Sequence, residues 1–496
     1  MKTIQIHPDD NVAVALEDLP GIPAGHKVAL RDFQAGDQVV KYGFPIGHTI
    51  HAVSKGALID HHDIQTNLSG TLDYSDIQCT PVDQSGLLPA SAGSPEDESD
   101  ASSTFNGYLR SDGQVGIRNE LWVIPTVGCV SGIVRRVVER MRTEVLHEGD
   151  GVDAIVGFPH NYGCSQLGDD HENTRKILRD MVHHPNAGGI LVIGLGCENN
   201  QPRQFQEFCG DYDRERVRFM TCQEVEGDEE ETAMRLLTEL YRKACTYERT
   251  PQPLSKLRVG LKCGGSDGFS GITANPLLGR FSDWLCTEQG GTTVLTEVPE
   301  MFGAETLLMR RCATPQLLEQ TIRLINDFKT YFLSHGQPVG ENPSPGNKAG
   351  GISTLEEKAL GCTQKSGSSP VFGVLAYGER IGEGRGLHLL SAPGNDLVAS
   401  TALAAAGCQL VLFTTGRGTP FATFVPTMKV STNSRLAQAK PHWIDFNAGS
   451  LIEGTTMDEL LDQFRQAVLS VCEGRHTQSE LRCQADIAIF KNGVTL

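Results

Sequence analysis

From Asn106 onward, short apolar runs alternate with stretches of helical spacing. ELWVIPTVGC precedes the helical SGIVRRVVERMRTEVL, and GGILVIGLGCE and RVRFMTC precede the helical EETAMRLLTELYRKAC. Strands that alternate with helices predict largely parallel sheets with helices on both faces. The alternation breaks near RTPQPLSKL and resumes with LRVGLKCGG. We therefore predict an α/β fold with a middle domain over 106–250 and a C-terminal domain over 256–496.

The first 105 residues differ in character from the rest of the chain. Residues 1–68 place short apolar runs such as NVAVAL and DQVVKYGFPIG between glycine turns, which predicts a small β domain. Residues 69–105 are rich in Ser, Asp, Gly and Pro and lack periodicity, so we expect a flexible linker. At 496 residues the chain is long enough for two or three domains that each bury a core.

Charge and cysteine content restrict the partners and the setting. The chain has 61 acidic and 43 basic residues, a formal net charge of -18, which argues against nucleic acid and anionic membranes as partners. A small anionic substrate remains compatible with this charge if Arg and Lys gather at the site. No apolar window approaches the length of a membrane span, so we expect a cytoplasmic protein whose 14 cysteines are mostly reduced. The sequence leaves assembly into a homo-oligomer open.

Six cysteines sit in short runs of glycine and polar residues. They are Cys129, Cys164, Cys197, Cys263, Cys362 and Cys408. Structural cysteines usually lie among apolar neighbours, whereas several of these follow predicted strands. Because ligands of parallel sheets gather at the carboxyl ends of the strands, these thiols indicate a polar site that could hold a metal.

Two of these cysteines have further polar neighbours. HNYGCSQ places His160 and Cys164 four residues apart after a strand, close enough to converge on one metal or substrate. Cys197 in GCENN follows the buried strand ILVIGL and could also face a ligand. In the alternative interpretation of HNYGCSQ, the histidine caps a turn and the thiol is buried. In that of GCENN, the loop satisfies only its own backbone groups.

Two glycine-rich segments are suited to an anion. In KCGGSDGFSG, the residues Gly264, Gly265, Ser266 and Asp267 form a turn before a helix, where successive backbone N–H groups can bind a carboxylate. The segment lacks the GK[ST] and GxGxxG patterns, so we expect no nucleotide cofactor. In FTTGRGTP, small neighbours would let Arg417 approach a carboxylate in bidentate geometry, although a surface turn is the alternative.

Acidic and histidine clusters provide further candidates. Glu297, in TEVPEMFGAE, could act as a base or metal ligand, or could simply favour a helix start. The DHHD segment contains His62 and could bind Fe²⁺, Mn²⁺ or Zn²⁺. Solvated loop histidines are the alternative there.

Taken together, the motifs resemble one family, the altronate and galactarate dehydratases. The resemblance covers nearly the whole chain and includes KYGFPIG, VGIRNELWVIPTVGC, YGCSQLGDDH, CGGSDGFSGITANPLLGRFSD, ENPSPGNKAGG, LGCTQKSGSS and FTTGRGTP. It implies an N-terminal β domain of the SAF type before two α/β regions. It also implies activation by Fe²⁺, with Mn²⁺ as a second metal, and a small sugar acid as substrate. The family's usual His-x-His-Asn segment reads Asp-His-His-Asp here, and Asp remains a competent metal ligand.

The resemblance further implies loss of water from a sugar acid, D-altronate giving 2-dehydro-3-deoxy-D-gluconate. The proton on C2 is weakly acidic, so the developing enediolate must be stabilised, and the C3 hydroxyl must be protonated or bound to metal as it leaves. We expect a carboxylate site at Gly264–Asp267 and Arg417, proton transfer by His160, and Fe²⁺ at Cys164 and Cys197. The other candidates are Lys365 as a second base if burial lowers its pKa, Glu297 as a catalytic carboxylate, His62 as a metal ligand, and Arg118 and Asn119 as ligands of sugar hydroxyls.

Several other functions are compatible with the same residues. The substrate could be another sugar acid such as galactarate, or the enzyme could be a sulfolactate-type lyase. The cysteines could hold an iron-sulfur cluster, although the usual CxxC spacing is absent. A sugar-acid binding protein without catalysis is the remaining alternative.

Overall fold

The computed structural model describes residues 2–80 and 104–493. Its strands are β1 (Thr3–Ile4), β2 (Val12–Ala15), β3 (Lys27–Ala29), β4 (Gln38–Lys41), β5 (Phe44–Thr49), β6 (Leu58–Ile59), β7 (Ile64–Gln65), β8 (Thr104–Leu109), β9 (Val115–Gly116), β10 (Glu120–Pro125), β11 (Ile155–Gly157), β12 (Ala187–Gly194), β13 (Val217–Thr221), β14 (Thr250–Pro253), β15 (Arg258–Cys263), β16 (Thr292–Leu295), β17 (Val371–Leu375), β18 (Gly386–Leu390), β19 (Leu410–Thr415), β20 (Thr427–Ser431) and β21 (Phe446–Asn447). Its α-helices are α1 (Ser131–Glu144), α2 (Gly168–Val182), α3 (Pro202–Phe208), α4 (Glu229–Ala244), α5 (Ala274–Asp283), α6 (Glu305–Met309), α7 (Pro315–Ser334), α8 (Pro345–Ala349), α9 (Leu355–Thr363), α10 (Asp396–Ala405), α11 (Ser434–Ala439) and α12 (Met457–Cys472). None of the helices in these two ranges has the length and apolar character needed to cross a membrane.

The N-terminal domain consists of two small antiparallel sheets, which confirms the predicted β domain. Their strand orders are β1-β2-β3-β6 and β4-β5-β7. Val12, Phe33, Val39 and Ile46 belong to a core that also includes Leu360 of helix α9. The small domain therefore shares buried apolar contacts with the C-terminal domain.

The middle domain has a parallel sheet with the order β11-β10-β12-β13. Every residue of β12 is buried, as expected for a strand covered on both faces. In α1, the buried residues Val134, Val137, Val138 and Met141 follow the period of a helix that packs one face inward. Helices α1 and α4 share one core with the sheet, while α2 and α3 share the core that continues into the C-terminal domain.

The C-terminal domain contains a sheet of seven parallel strands, in the order β17-β18-β16-β15-β19-β20-β21. The predicted α/β fold with largely parallel sheets is confirmed. Strand β15 lies at the centre, and Cys263 is its last residue. The carboxyl end of this strand is where the functional side chains gather.

The segment predicted as a flexible linker is ordered at both ends. Tyr74 is buried, and Lys329 donates to its hydroxyl at 2.8 Å. At the other end, β8 pairs antiparallel with β14, so the segments that flank the middle domain meet in one ladder. The described residues at both ends of 69–105 thus bury side chains or backbone groups, and the bounds of the linker stay a prediction. Residues 81–103 lie outside the described residues.

Candidate active site

Buried charged side chains meet at the carboxyl edge of the seven-stranded sheet. Lys262 and Cys263 end strand β15, and Glu297 follows strand β16. The Lys262 ammonium donates to the Glu297 carboxylate and, at 2.8 Å, to Asp396 at the start of helix α10. Lys365, just after helix α9, donates to Glu297 at 2.8 Å. Because parallel sheets bind ligands at this edge, the group is a candidate active site.

Glu297 has an unusual backbone conformation. Its torsions, φ 68° and ψ 55°, lie in the left-handed region, which costs a non-glycine residue on the order of 1 kcal/mol or more. The carboxylate is held by Lys262, by Lys365 and by the backbone N–H of Cys263 at 3.2 Å. Burial and the nearby Glu300 raise the pKa of Glu297, while the two lysines oppose that rise. The surrounding contacts thus hold Glu297 in a conformation that it would otherwise rarely adopt.

Two thiols and a carboxylate lie beside Glu297. The sulfurs of Cys263 and Cys362 are 3.2 Å apart, and Glu300 Oε2 lies 3.4 Å from the first and 3.1 Å from the second. Lys358 binds the other carboxylate oxygen of Glu300 at 2.7 Å, and Lys365 Nζ lies 2.9 Å from Cys263 Sγ. Each of these five residues is at most 7% exposed. They form what we call the thiol-carboxylate group: Cys263, Glu300 and Cys362, with Lys358 and Lys365 around it.

The lysines determine the charge states in this group. Burial acts to raise the pKa of Glu300, but Lys358 and the other nearby lysines lower it to about 2. Burial acts to lower the pKa of Lys365, but Cys263 and Glu297 raise it well above its usual value. Lys365 therefore stays protonated at neutral pH. The predicted role of Lys365 as a base required burial to lower its pKa, whereas these neighbours favour the ammonium form; that role stays a prediction.

The N-terminal domain covers this edge of the sheet with two lysines that share one carboxylate. Lys27 and Lys41 donate to the two oxygens of Glu357 at 2.8 and 2.7 Å, and all three residues are at most 2% exposed. Thr354 caps helix α9 by accepting the Glu357 N–H, which places Glu357 in the first turn. Burial acts to raise the pKa of Glu357, but the two lysines lower it to about 2. The interface therefore contains a buried, compensated charge cluster.

Two glycines allow the N-terminal domain to approach the sheet edge closely. A Cβ atom at Gly268 would lie 1.8 Å from the carbonyl oxygen of Gly25, and one at Gly271 would lie 2.3 Å from the Tyr42 hydroxyl. Real Cβ atoms do not approach other heavy atoms this closely, so any side chain there would displace the domain. Part of the glycine content of KCGGSDGFSG therefore serves the contact between domains.

A cavity of about 10 Å³ remains between the N-terminal domain and this segment. Tyr42, Ser266, Lys358 and Cys362 are among its lining residues. The Ser266 hydroxyl is buried, and no described residue forms a hydrogen bond with it. A cavity of this volume holds about one water molecule. A six-carbon acid would require it to open.

Three family models match the chain in order. They are the altronate/galactarate dehydratase SAF domain over residues 20–67, the D-galactarate dehydratase/altronate hydrolase second domain over 107–245, and the D-galactarate/altronate dehydratase C-terminal domain over 254–495. The chain is also 53% identical to the altronate dehydratase of Bacillus subtilis over 512 residues, which covers 99% of each chain. This chain belongs to the altronate and galactarate dehydratase family.

Two further members of the family show how the similarity varies. The altronate dehydratase of Escherichia coli is 52% identical over 512 residues, covering 100% of both chains. The galactarate dehydratase (L-threo-forming) of the same organism is 32% identical over 500 residues, covering 95% of this chain and 93% of its own. The resemblance inferred from the motifs is confirmed.

In this family member, the predicted anion-binding turn borders the cavity and lies beside Arg417. The Arg417 N–H donates to the Gly265 carbonyl at 3.0 Å, and the Arg417 residue is exposed. Asp267 is half-buried and accepts hydrogen bonds from the Thr432 hydroxyl at 2.9 Å and the Asn433 amide at 3.0 Å. Asp267 therefore holds the turn together. Carboxylate binding by Gly264, Gly265, Ser266 and Arg417 stays a prediction.

Arg118 and Asn119 have structural partners. All five N–H donors of Arg118 are used, two of them by Glu480 and the rest by backbone carbonyls. The Asn119 amide donates to the Gly151 and Ala244 carbonyls, and its oxygen accepts from Arg110. Their polar atoms already have buried protein partners, so binding of sugar hydroxyls by these two residues would require those contacts to change, and it stays a prediction.

His160 is also engaged within the middle domain. Its Nε2 lies 2.8 Å from the Pro125 carbonyl, and its Nδ1 accepts the Tyr162 N–H at 3.1 Å. Burial lowers the pKa of His160 to about 4, so the ring is neutral at physiological pH. Both ring nitrogens are hydrogen bonded inside the protein, which favours a structural role for His160. Proton transfer by this residue stays a prediction.

We expect His160→Gln to leave the maximal rate of turnover within about threefold of the wild type, because the ring contacts only protein groups. The unfolding free energy should fall by about 1 kcal/mol or more, since a buried hydrogen-bonded group is altered. Steady-state kinetics from pH 6 to pH 8 and urea unfolding would measure the two effects. A selective loss of turnover in a fully stable variant would restore His160 to the mechanism.

Cys164 and Cys197 lie on adjacent loops of the middle domain. The Ser165 N–H donates to Asn199 Oδ1 at 2.8 Å, which links the two loops. Both thiols are exposed, and neither belongs to a set of three potential metal ligands within the described residues. Their predicted role in holding Fe²⁺ would therefore require further ligands or a rearrangement.

His62 belongs to a second set of potential metal ligands. Asp60, His61 and His62 offer ligand atoms within 4.8 Å of one another on the N-terminal domain. The His61 and His62 rings are 4.0 Å apart, and His62 is exposed. This set is more accessible to solvent than the thiol-carboxylate group.

Sequence reasoning missed most of the lysines in the site. Lys27 and Lys41 lie on short strands, where isolated lysines are usually solvated, and their partner Glu357 is more than 300 residues away. Glu300 was visible in the acidic segment TEVPEMFGAE, but nothing in its spacing singled it out. Cys263 and Cys362 were visible as glycine-flanked thiols. Their pairing across 99 residues of sequence is a tertiary feature.

Proposed function

We propose that the chain is a hydro-lyase that removes water from D-altronate to give 2-dehydro-3-deoxy-D-gluconate. The observation that carries this proposal is the identity of 52–53% with two altronate dehydratases over essentially the full length of the chain. The buried lysine, thiol and carboxylate side chains at the carboxyl edge of the seven-stranded sheet supply a suitable site. The lower identity of 32% with galactarate dehydratase makes galactarate the second candidate substrate.

The residues that line the cavity suit the two steps of such an elimination. Transfer of the C2 proton to a base, for which Glu297 beside the thiol-carboxylate group is the candidate, leaves an enediolate that needs a nearby positive charge. Burial acts to lower the pKa of Lys358, but Glu300 and the thiols raise it, so an ammonium group remains available. The C3 hydroxyl leaves only with a proton, and Tyr42 keeps its phenolic proton because burial raises its pKa. The free hydroxyl of Ser266 would orient a sugar hydroxyl.

We further propose Fe²⁺ as the metal, with Mn²⁺ as an alternative and no nucleotide cofactor. Two sets of described residues have suitable ligand atoms: the thiol-carboxylate group, and Asp60, His61 and His62. When bound, such an ion would act as a Lewis acid toward the substrate oxygens. The two thiols of the first set are fewer than the three or four that an iron-sulfur cluster uses. Adjacent reduced thiols also favour a reducing, cytoplasmic setting.

The substrate we propose is a small sugar acid that enters when the N-terminal domain moves. The closed cavity of about 10 Å³ is far below the 300 Å³ or more that ligand pockets usually offer. The contacts that must part or shift are those of Lys27 and Lys41 with Glu357, which join the two domains. Closure would then exclude water from the reacting groups.

A substrate panel tests the proposal. The anaerobically purified protein should convert D-altronate to a 2-keto-3-deoxy acid in the presence of Fe²⁺ or Mn²⁺. It should leave galactarate, other aldonates and sulfolactate unchanged. The product can be measured by its reaction with periodate and thiobarbiturate. Turnover of galactarate alone would move the assignment to the second candidate. Stabilisation of the protein by altronate without product would identify a binding protein.

A further inference from the structure

The thiol-carboxylate group draws its three members from different elements of the C-terminal domain. Cys263 ends strand β15, Glu300 lies in the 3-10 turn Val298–Met301, and Cys362 lies in the last turn of helix α9. They are separated by 37 and 62 residues in sequence and still place three soft or anionic ligand atoms against one another. Glu300 and Cys362 do not belong to any metal-binding spacing that the sequence reveals. The fold alone creates the group.

The distances suit a single small ion. The three edges of the ligand triangle measure 3.2, 3.4 and 3.1 Å. A tetrahedral ion with bonds of about 2.3 Å to sulfur and about 2.1 Å to oxygen separates its ligand atoms by about 3.6–3.8 Å. Side-chain rotations that move the sulfur and oxygen atoms by a few tenths of an ångström would bring them to these separations. Three protein ligands would leave a fourth position free, as in catalytic rather than structural sites.

The surrounding contacts orient the ligands. Lys358 holds the outer oxygen of Glu300, which turns Oε2 toward the two sulfurs. Lys365 donates to Cys263 Sγ, and the Cys263 N–H is fixed by Glu297. Such outer contacts are what position ligands in metal sites. Cys362 also lines the cavity, so the free position would be reached from the substrate side.

The charges balance around this group. Lys262, Lys358 and Lys365 supply three positive charges, and Glu297, Glu300 and Asp396 supply three negative charges. A dication that binds two thiolates adds no net charge to this buried set. A monovalent cation, or one more anionic ligand, would leave the set with a net negative charge. Sulfur ligands also favour Fe²⁺, Zn²⁺ or Co²⁺ over Mg²⁺ and Ca²⁺.

We propose that Cys263, Glu300 and Cys362 form a mononuclear site for a divalent metal of borderline softness, with its open position facing the cavity beneath the N-terminal domain. This inference rests on the proposed function and deepens it, because it names the ligands of the metal. It places the metal away from Cys164 and Cys197 and away from the histidines of the N-terminal domain.

Binding of Co²⁺ to the full chain tests the site without relying on turnover. Apo protein, prepared anaerobically with a chelator, should take up one Co²⁺ per chain and develop a thiolate-to-cobalt charge-transfer band in the near ultraviolet. Each of Cys263→Ser and Cys362→Ser should reduce that band by about half, and the double variant should abolish it. Cys286→Ser is the matched control, since Cys286 is also buried but bonds to Thr293 outside the group. Its band should be unchanged.

Measurements on the wild-type protein are sufficient to contradict the proposal, so it can be tested even if the variants misfold. Bound Co²⁺ without a thiolate band, or no bound Co²⁺ at all, would exclude this site. A band that survives in the double variant but disappears in Cys164→Ser or Cys197→Ser would move the metal to the middle domain. A loss of cobalt in His62→Ala alone would move it to the N-terminal domain. Altronate turnover without a thiolate band would overturn only the metal site, and a band without altronate turnover would overturn only the proposed function.

Discussion

Replacement of Glu300 by glutamine is expected to lower kcat for altronate by about 100-fold or more, which is the usual cost of removing a charged group from a catalytic centre. Glutamine keeps the shape of Glu300 but removes the charge that faces Lys358 and the two thiols. The proposed substrate site would then carry an uncompensated ammonium group. Steady-state kinetics with saturating Fe²⁺ would give kcat and KM separately.

Glu305→Gln provides the matched control for this prediction. Glu305 is a buried carboxylate on the same segment, and it accepts from Lys329 at 3.0 Å and from Tyr74. Its partners are therefore different from the thiols and the lysine that contact Glu300. Its replacement should lower stability while kcat stays within about threefold of the wild type. A Glu300→Gln variant that turns over altronate at the rate of this control would remove Glu300 from the mechanism.

Glu357→Gln is expected to lower the unfolding free energy by about 3–5 kcal/mol, as for other buried ion pairs that lose one partner. Lys27 and Lys41 would both remain buried with no carboxylate between them. Because the lysines belong to the N-terminal domain, this domain should separate and unfold first. Urea unfolding, followed by circular dichroism and by limited proteolysis of the N-terminal domain, would measure the effect.

An exposed pair gives the contrasting result for the same substitution. Glu144 pairs with Arg140 on the surface of helix α1, with 52% of its side chain exposed. Glu144→Gln should change stability by no more than about 0.5 kcal/mol. Equal effects at the two positions would mean that Glu357 does not hold the domains together.

The contribution of Glu357 should depend on pH in a defined direction. Its pKa is about 2 in the folded protein and would be about 4.3 in an unfolded chain. A depressed carboxylate pKa gives stability that is fully present above the unfolded value and is lost as pH falls through the folded value. The difference between wild type and Glu357→Gln should therefore be constant near neutral pH and shrink from about pH 5 toward pH 2.

The fold was accessible from sequence because it follows from local patterns. Buried strands such as β12 appear in the sequence as continuous apolar runs, and amphipathic helices such as α1 as apolar residues at helical spacing. The order of the seven strands was not accessible, since it depends on which strands pair across long separations. The N-terminal β domain was visible as short runs between glycines, but its packing on helix α9 was not.

The site was predictable only in part, and the reason is physical. Glycine-cysteine motifs end strands in both α/β domains, and sequence cannot show which sheet edge the N-terminal domain covers. Cys164 and Cys197 were therefore favoured over Cys263 and Cys362, although the latter pair is the buried one. Lys365 and Glu297 were identified, yet the pKa of Lys365 depends on neighbours that only the fold brings together.

The uneven burial of the cysteines has a practical consequence. Cys129, Cys164, Cys197 and Cys483 face solvent, so an alkylating reagent would modify them in the folded protein. Cys362 lies beside the cavity beneath the N-terminal domain and would react only while that domain is lifted. When the domain closes faster than the reagent reacts, the rate of the slow phase of labelling is proportional to the population of the open form. The rate at which Cys362 is modified would therefore report how often the N-terminal domain opens, as the proposed entry of substrate requires.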